Sequence, residues 1–253
     1  MLGSMKFLAL SAAAVSLWVA QAQAQDVHVF VSRGAQAVVQ EILPQVEKAM
    51  GHKAVVEYNS STEFKAKIEK GEAFDAAIVS TELMEELVKN GTIVAASRKP
   101  VARAGIGVGV RTGAAKPDIK TSDALKQALL KAKAITYAED GASRPYLERM
   151  FDRMGISAEM SHKVVLAHGS ALSAAKVADG SADYLLTLIS EILQSPGLEL
   201  VGPLPQEHQN YISFAAGVNA KAHDPASAKK LVEAVTKPEI LPVLKAKGME
   251  PLK

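Results

Sequence analysis

A chain of 253 residues, 48% hydrophobic and 22% charged, is long enough to bury a sizeable core. Its formal charge of +2 is too balanced to track a phosphate backbone, so nucleic-acid binding is not expected. There is no cysteine, which excludes a disulfide framework and leaves stability to the core.

The chain opens with a short basic start at Met5 and Lys6, then a 14-residue apolar run from Phe7 to Ala20, then Ala22-Gln23-Ala24. A basic segment, an apolar segment and an A-x-A site are the parts of a secretory signal peptide. The run falls short of the roughly 20 residues that cross a bilayer. Residues 1–24 are therefore expected to be a signal peptide, cleaved after Ala24, with Ala22 as a second fit and an uncleaved anchor as the alternative. No lipid anchor is expected, because a lipoprotein needs a cysteine at the cleavage point. Cleavage removes Lys6 and no acid, so the charge falls from +2 to +1.

Short apolar runs then alternate with amphipathic segments, the pattern of an α/β protein with largely parallel sheets. Val27 to Ser32 reads as a strand. Ala35, Val38, Val39, Ile42, Leu43, Val46 and Met50 fall on one face of a helix closed by Gly51, with a kink or an early end expected at Pro44. Ala54 to Tyr58 is a second strand, and Asn59-Ser60-Ser61-Thr62 opens a short helix ending at Gly71. Ala76 to Ser80 is a buried strand. The helix after Thr81 buries Leu83, Met84, Leu87 and Val88. Ile93 to Val110 is extended and glycine-rich. The alternation resumes with a helix at Leu125 to Lys131 and a strand at Ala134 to Ala138. Next come a helix at Ser143 to Met154, a strand at Lys163 to Ala167, a helix at Ala171 to Ala178 and a strand at Ala182 to Ile189. Tyr211 to Val218 is extended again. Two helices close the chain, one capped at Asp224 with Pro225 in its first turn, the other from Pro238 to before Gly248. Two extended stretches bracketing the middle suggest two crossings. Residues 25–104 and 211–253 would form one lobe, and 105–210 the other.

Several stretches carry a resemblance to a known family. VFVSRGAQAVVQEILPQVEK and VVEYNSSTEFKAKIEKGEAFDAAIVST resemble the first two segments of molybdate-type periplasmic binding proteins. ARAGIGVGVRTGAAKPDIKTSDALKQALLKAKAITYAEDGAS, LERMFDRMGI, ISEILQSPGLELVGPLP and VLKAKGMEP are similar to a branch of the same family. The match covers nearly all of the chain after the expected cleavage site and rests on order and spacing. It implies a two-lobed type II periplasmic binding protein fold, with two open sheets flanked by helices and joined by two hinge strands. It also implies a periplasmic solute-binding protein that delivers a small anion to an ABC permease in the inner membrane. The anion would be a molybdate-like oxyanion or a small organic polycarboxylate. A monomer is expected, with no catalytic residues, no cofactor and no metal.

In open α/β sheets, ligands sit at the carboxyl ends of strands, where helix starts offer free N–H groups. Four such junctions are candidates: Ser32-Arg33-Gly34-Ala35, Ser60-Ser61-Thr62, Ala142-Ser143-Arg144 and Gly169-Ser170-Ala171. Helix capping alone is the alternative for each serine or threonine. The resemblance aligns Gly34 where molybdate binders place a serine, gives Arg33 no counterpart in their neutral sites, and puts Leu188 near their late tyrosine. Ser60 and Ser61 keep the second junction. Arg33 and Arg144 stand at corresponding junctions of the two lobes. An arginine fork on a carboxylate contributes roughly 1.5–3 kcal/mol per charge-assisted bond, so a bridging di- or tricarboxylate is one natural guest. The alternative for Arg144 is a local pair with Glu148. Arg103 and Arg111, near a crossing, are secondary candidates.

Other apparent motifs do not hold. Gly105, Gly107 and Gly109 lack the following helix and acid of a dinucleotide site and read instead as a flexing strand. The segment from Gly141 to Pro145 lacks the last glycine of a nucleophile elbow. The six histidines show no HExxH and no i, i+4 pair, so spacing gives no zinc site. A secreted enzyme or a ligand-sensing module on the same scaffold is the competing function.

Overall fold

The computed structural model describes residues 26–252, so the expected signal peptide lies outside the described residues. Strand β1 (Val27–Ser32) is buried everywhere except His28 and passes directly into helix α1 (Arg33–Met50). That helix buries Gly34, Ala35, Val38, Val39, Ile42 and Val46, the face its spacing predicts, and Gly51 closes it with φ 86°. Pro44 does not end the helix. It lies on the exposed side, as does Gln40, so the carbonyl it leaves without a donor is within reach of water.

Strands β2 (Ala54–Asn59) and β3 (Ala76–Ser80) flank β1 in parallel, with Val29 opposite Val56 on one side and Ala76 on the other. Helices α2 (Ser61–Glu69) and α3 (Thr81–Lys89) follow them. Each is capped by a serine: Ser60 Oγ accepts from the Glu63 N–H at 3.0 Å, and Ser80 Oγ from the Leu83 N–H at 3.4 Å. Side chains alternate across β1, so Val29 and Val31 pack with α1 while Phe30 faces the other way. There it stacks on Phe64 and Phe74 with centroids 4.6 and 4.9 Å away.

Strand β4 (Lys99–Arg111) changes partners along its length. Its first half runs antiparallel to β8 (Tyr211–Val218), from Lys99 opposite Ala216 to Gly105 opposite Tyr211. Its second half pairs with β6 (Tyr184–Leu188) from Ile106 onward, and with β7 (Leu198–Pro203). With β5 at Ile135–Thr136, the strand order is β2-β1-β3-β8-β4-β6-β5, and β7 pairs with β4 off this path. The two crossings run side by side at this changeover. Leu204 N–H donates to Ile106 O at 3.1 Å. The Gln209 side chain takes both backbone groups of Ile106, accepting from its N–H at 2.8 Å and donating to its carbonyl at 2.9 Å.

The glycines of β4 serve close packing. A Cβ on Gly107 would stand 2.8 Å from Ile189 Cγ1 and 2.9 Å from Gly202 O; one on Gly109 would stand 3.0 Å from Ile192 Cγ2. Residues two apart share a strand face, and this bare face receives α8 (Ile189–Gln194), a helix the sequence reading did not separate from its strand.

The second half also contains α4 (Ser122–Lys131), α5 (Arg144–Met154), α6 (Ser157–Ser161) and α7 (Ser170–Ala178). The expected strand at Ala134–Ala138 is only two residues long. The one expected at Lys163–Ala167 reduces to bridges from Val164 to Ile135 and from Ala167 to Ala138. Val165 and Leu166 are exposed, and the Thr136 hydroxyl takes the Val165 carbonyl at 2.7 Å, so this edge stays extended without a full ladder. Helix α9 (Pro225–Ala234) has the expected Asp224 cap. The last expected helix is split into a tight turn at Pro238–Ile240 and α10 (Leu241–Ala246).

Asp75 ties the last segment to the first. Its carboxylate is 1% exposed and accepts from the N–H groups of His28 at 2.8 Å, His223 at 2.6 Å and Asp224 at 3.4 Å. Asp75→Ala strands these donors and should cost about 3 kcal/mol, which lowers Tm by roughly 6–12 °C for a chain of this size. A thermal melt unchanged within about 2 °C would reject this role for Asp75.

Candidate functional site

Five helix starts meet at one small cavity. Its wall takes Arg33 and Gly34 from α1, Ser60 and Ser61 at the start of α2, Ser143 before α5, Gly169 and Ser170 at α7, and Leu188 with Glu191 at α8. Ser32, Ile212 and Phe214 complete its floor, and about 40 Å³ is open to the centres of water molecules. All four junctions chosen from sequence therefore converge. Of the nine residues nominated, Thr62 and Arg144 stay outside the wall.

The chemistry of each wall residue follows from its local structure. Ser32 makes no side-chain cap bond and Gly169 has no side chain to make one, so the first N–H groups of α1 and α7 stay available to a ligand. The Ser32 and Ser61 hydroxyls share a hydrogen bond of 2.6 Å, and Ser61 Oγ also accepts from the Ser80 N–H at 2.9 Å. Ser60 is occupied as the cap of α2.

Gly34 has a steric reason. A Cβ there would stand 2.4 Å from Phe214 Cζ and 2.8 Å from Leu188 Cδ1. The start of α1 is pressed against β8 and β6 so closely that the serine of molybdate binders has no room.

The two arginines differ. Among the described residues Arg33 makes no ion pair, and its Nε is buried with no hydrogen-bond partner. Arg144 Nε donates to Glu148 Oε1 at 2.8 Å and its Nη1 to the Glu139 carbonyl at 3.0 Å. The local pair is thus the state of Arg144. Arg103 is also spent elsewhere, on Glu250 at 2.8 Å and over the Tyr211 ring at 4.1 Å.

Two carboxyls in the wall were not nominated from sequence. Burial acts to raise the Asp140 carboxyl, but the Ser60 hydroxyl and the Gly169 N–H, the latter donating to Oδ1 at 2.7 Å, hold it below the ordinary aspartate value. Burial pushes Glu191 above the ordinary glutamate value, although the Thr187 hydroxyl donates to Oε2 and Arg33 lies close enough to oppose the shift. Glu191 stayed hidden because α8 itself was not read; Asp140 looked like ordinary loop charge. An adjoining groove of about 440 Å³ shares Arg33, Ser170 and Glu191 and adds the amides of Gln36, Gln40 and Gln194.

The chain matches the family described as bacterial extracellular solute-binding protein over residues 27–250. It belongs to that family. The solute-binding protein shares its fold with the periplasmic molybdate-binding protein of Azotobacter vinelandii, at TM-score 0.75 and 19% identity over 90% of this chain and 100% of that one. The sulfate-binding protein of Mycobacterium tuberculosis superposes with TM-score 0.67 and 18% identity, over 90% of this chain and 87% of that one. The architecture is thus the two-lobed type II periplasmic binding fold. A curated relative from Pseudomonas sp. is 28% identical over 230 residues, 88% of this chain and 87% of the relative; it is an aconitate isomerase.

An exposed helical glycine replaced by alanine normally gains about 1 kcal/mol. Gly34→Ala should do the opposite, costing about 1–3 kcal/mol because Phe214 and Leu188 must give way. Chemical denaturation decides it, and a stabilised variant would show that the contact is not tight.

Proposed function

We propose that this protein captures a small organic carboxylate, of the di- or tricarboxylate class, between its lobes and presents it to an ABC permease. The observation that carries this reading is the buried Nε of Arg33 without an acceptor, aimed at a cavity where helix starts converge. Leaving a buried cationic donor unmade costs more than an ordinary hydrogen bond returns, so a ligand anion is its natural partner. Asp140 narrows the choice. An ionised carboxylate accepts hydrogen bonds and donates none, so it repels a fully ionised oxyanion but welcomes a hydroxyl or a protonated carboxyl. A hydroxy- or polycarboxylic acid supplies both kinds of group. The adjoining groove gives such a ligand room beyond the small cavity.

In this reading residues 25–104 and 211–253 form one lobe and residues 105–210 the other. Closure around the ligand shifts the population toward the form a permease recognises. The protein works as a monomer in the periplasm after losing residues 1–24, and binding involves no chemistry.

Thermal shift with citrate, cis- and trans-aconitate, sulfate, phosphate and molybdate tests the assignment. A ligand near 100 times its Kd should stabilise by about 2.7 kcal/mol, or roughly 5–10 °C. Arg33→Ala should abolish the response to carboxylates while the protein stays folded. A response to molybdate or sulfate alone returns the oxyanion version, and a flat response to every anion rejects capture of anions altogether.

Glu191 favours a second reading, an isomerase like the Pseudomonas relative. A carboxyl held toward its protonated form on the wall of a carboxylate pocket suits a 1,3 proton shift. The acid would give its proton to one carbon of an unsaturated ligand, and the resulting carboxylate would recover one from another carbon. Nuclear magnetic resonance of cis-aconitate with the protein would show conversion to the trans isomer. Glu191→Gln would stop turnover by at least about a hundredfold, the usual scale of acid–base catalysis, while binding remained. Absence of conversion in the unmodified protein leaves capture as the function.

A further inference from the structure

Beside the cavity, side chains from both lobes converge on a point that the carboxylate reading touches only through Asp140. Glu63 from α2, Asp140 from the loop before α5 and His168 from the loop before α7 each place one donor atom within 4.8 Å of the other two. We propose that this triad binds a first-row divalent cation, with Zn2+ as its probe, and that the cation clasps the two lobes together at the mouth of the ligand site.

Three independent features support a metal over a fortuitous cluster. His168 Nδ1 lies 3.1 Å from Glu139 Oε1, while Nε2 faces Glu63 Oε2 at 3.7 Å. A proton on Nδ1 shared with Glu139 leaves the Nε2 lone pair free, and a carboxylate holding the far nitrogen is how metal-ligating histidines are oriented. Asp140 spends Oδ1 on the Gly169 N–H, while its Oδ2 is buried with no hydrogen-bond partner. The third feature is charge. Glu63, Glu139 and Asp140 surround one imidazole, and among the described residues none of the three pairs with a lysine or arginine side chain. Arg144, the nearby base, is turned to Glu148 and to the Glu139 backbone carbonyl.

An imidazolium in the same place is the simpler occupant, and it fits less well. At 3.7 Å its Nε2–H is too far from Glu63 for a hydrogen bond, and it leaves Asp140 Oδ2 unsatisfied. Two carboxylates and an imidazole suit Zn2+, Mn2+ or Co2+ at about 2.0–2.2 Å. Drawing the donors in by about an ångström to reach those lengths is feasible because His168 is exposed and Glu63 partly so. Three protein ligands also leave a coordination position open to water or to an oxygen of a captured anion, next to the wall that Asp140 shares.

The test titrates Zn2+ alone into the chelator-stripped protein by calorimetry, so it does not depend on what the cavity captures. One cation should bind per chain, saturably and well below about 1 mM. His168→Ala and Glu63→Gln should each weaken binding at least tenfold, and Glu139→Gln, which touches only the far nitrogen, by roughly tenfold to a hundredfold. Metal-free melts of the three variants control for folding, since none of these side chains is in the core. Binding that is absent, or that survives His168→Ala unchanged, overturns the site.

Discussion

The structure depends on one steric constraint, the direct passage of β1 into α1 with no loop between them. Because Ser32 ends the strand and Arg33 begins the helix, the free N–H groups of α1 lie at the carboxyl edge of the sheet. Gly34 then lets that helix start touch Phe214 and Leu188, which belong to strands on opposite sides of the changeover in β4. The contact brings the crossing strands and the helix start to one point.

The cavity is not a simple positive well. Helix starts and Arg33 make it attractive to anions, but Asp140 and Glu191 sit in the same wall with their carboxyls shifted in opposite directions. Asp140 is stabilised as an anion by the Gly169 amide, which donates to Oδ1, with the Ser60 hydroxyl adding to the effect. Burial acts most strongly on Glu191, and the Thr187 hydroxyl and nearby Arg33 do not offset it, so desolvation wins. One wall thus contains a fixed acceptor and a group biased to donate. In the carboxylate reading such a pair would select a ligand that brings both an acceptor and a hydrogen to donate.

Much of this was legible in the sequence, for identifiable reasons. The helical spacing from Ala35 to Val46 and the all-buried β3 announced themselves through periodicity and apolar runs. The serine-bearing helix starts were visible because caps and ligand donors use the same residue types. What stayed hidden depends on tertiary contacts. The packing role of Gly107 and Gly109 shows only with α8 against them, and α8 was invisible because six residues are too few for a period to emerge. Glu191 went with it. Arg144 looked equivalent to Arg33 by position, yet an acid four residues on at Glu148 claims it, while Arg33 has glutamine and alanine at the matching places.

Spacing rules fail for His168 in the same way. Metal motifs in sequence are readable when two ligands share one helix face, but here each donor comes from a different segment. On the proposed lobe assignment the site would be complete only when the lobes approach, so its affinity and the closure equilibrium would be one free energy viewed from two sides. Asp140 belongs to both the cavity wall and this cluster, which makes it the point where the two would couple. A cation drawing on Asp140 Oδ2 reduces the negative charge that the wall presents to an incoming carboxylate. Cation and anion would then favour each other's binding through the shared carboxylate, in addition to any direct contact at the cation's open position.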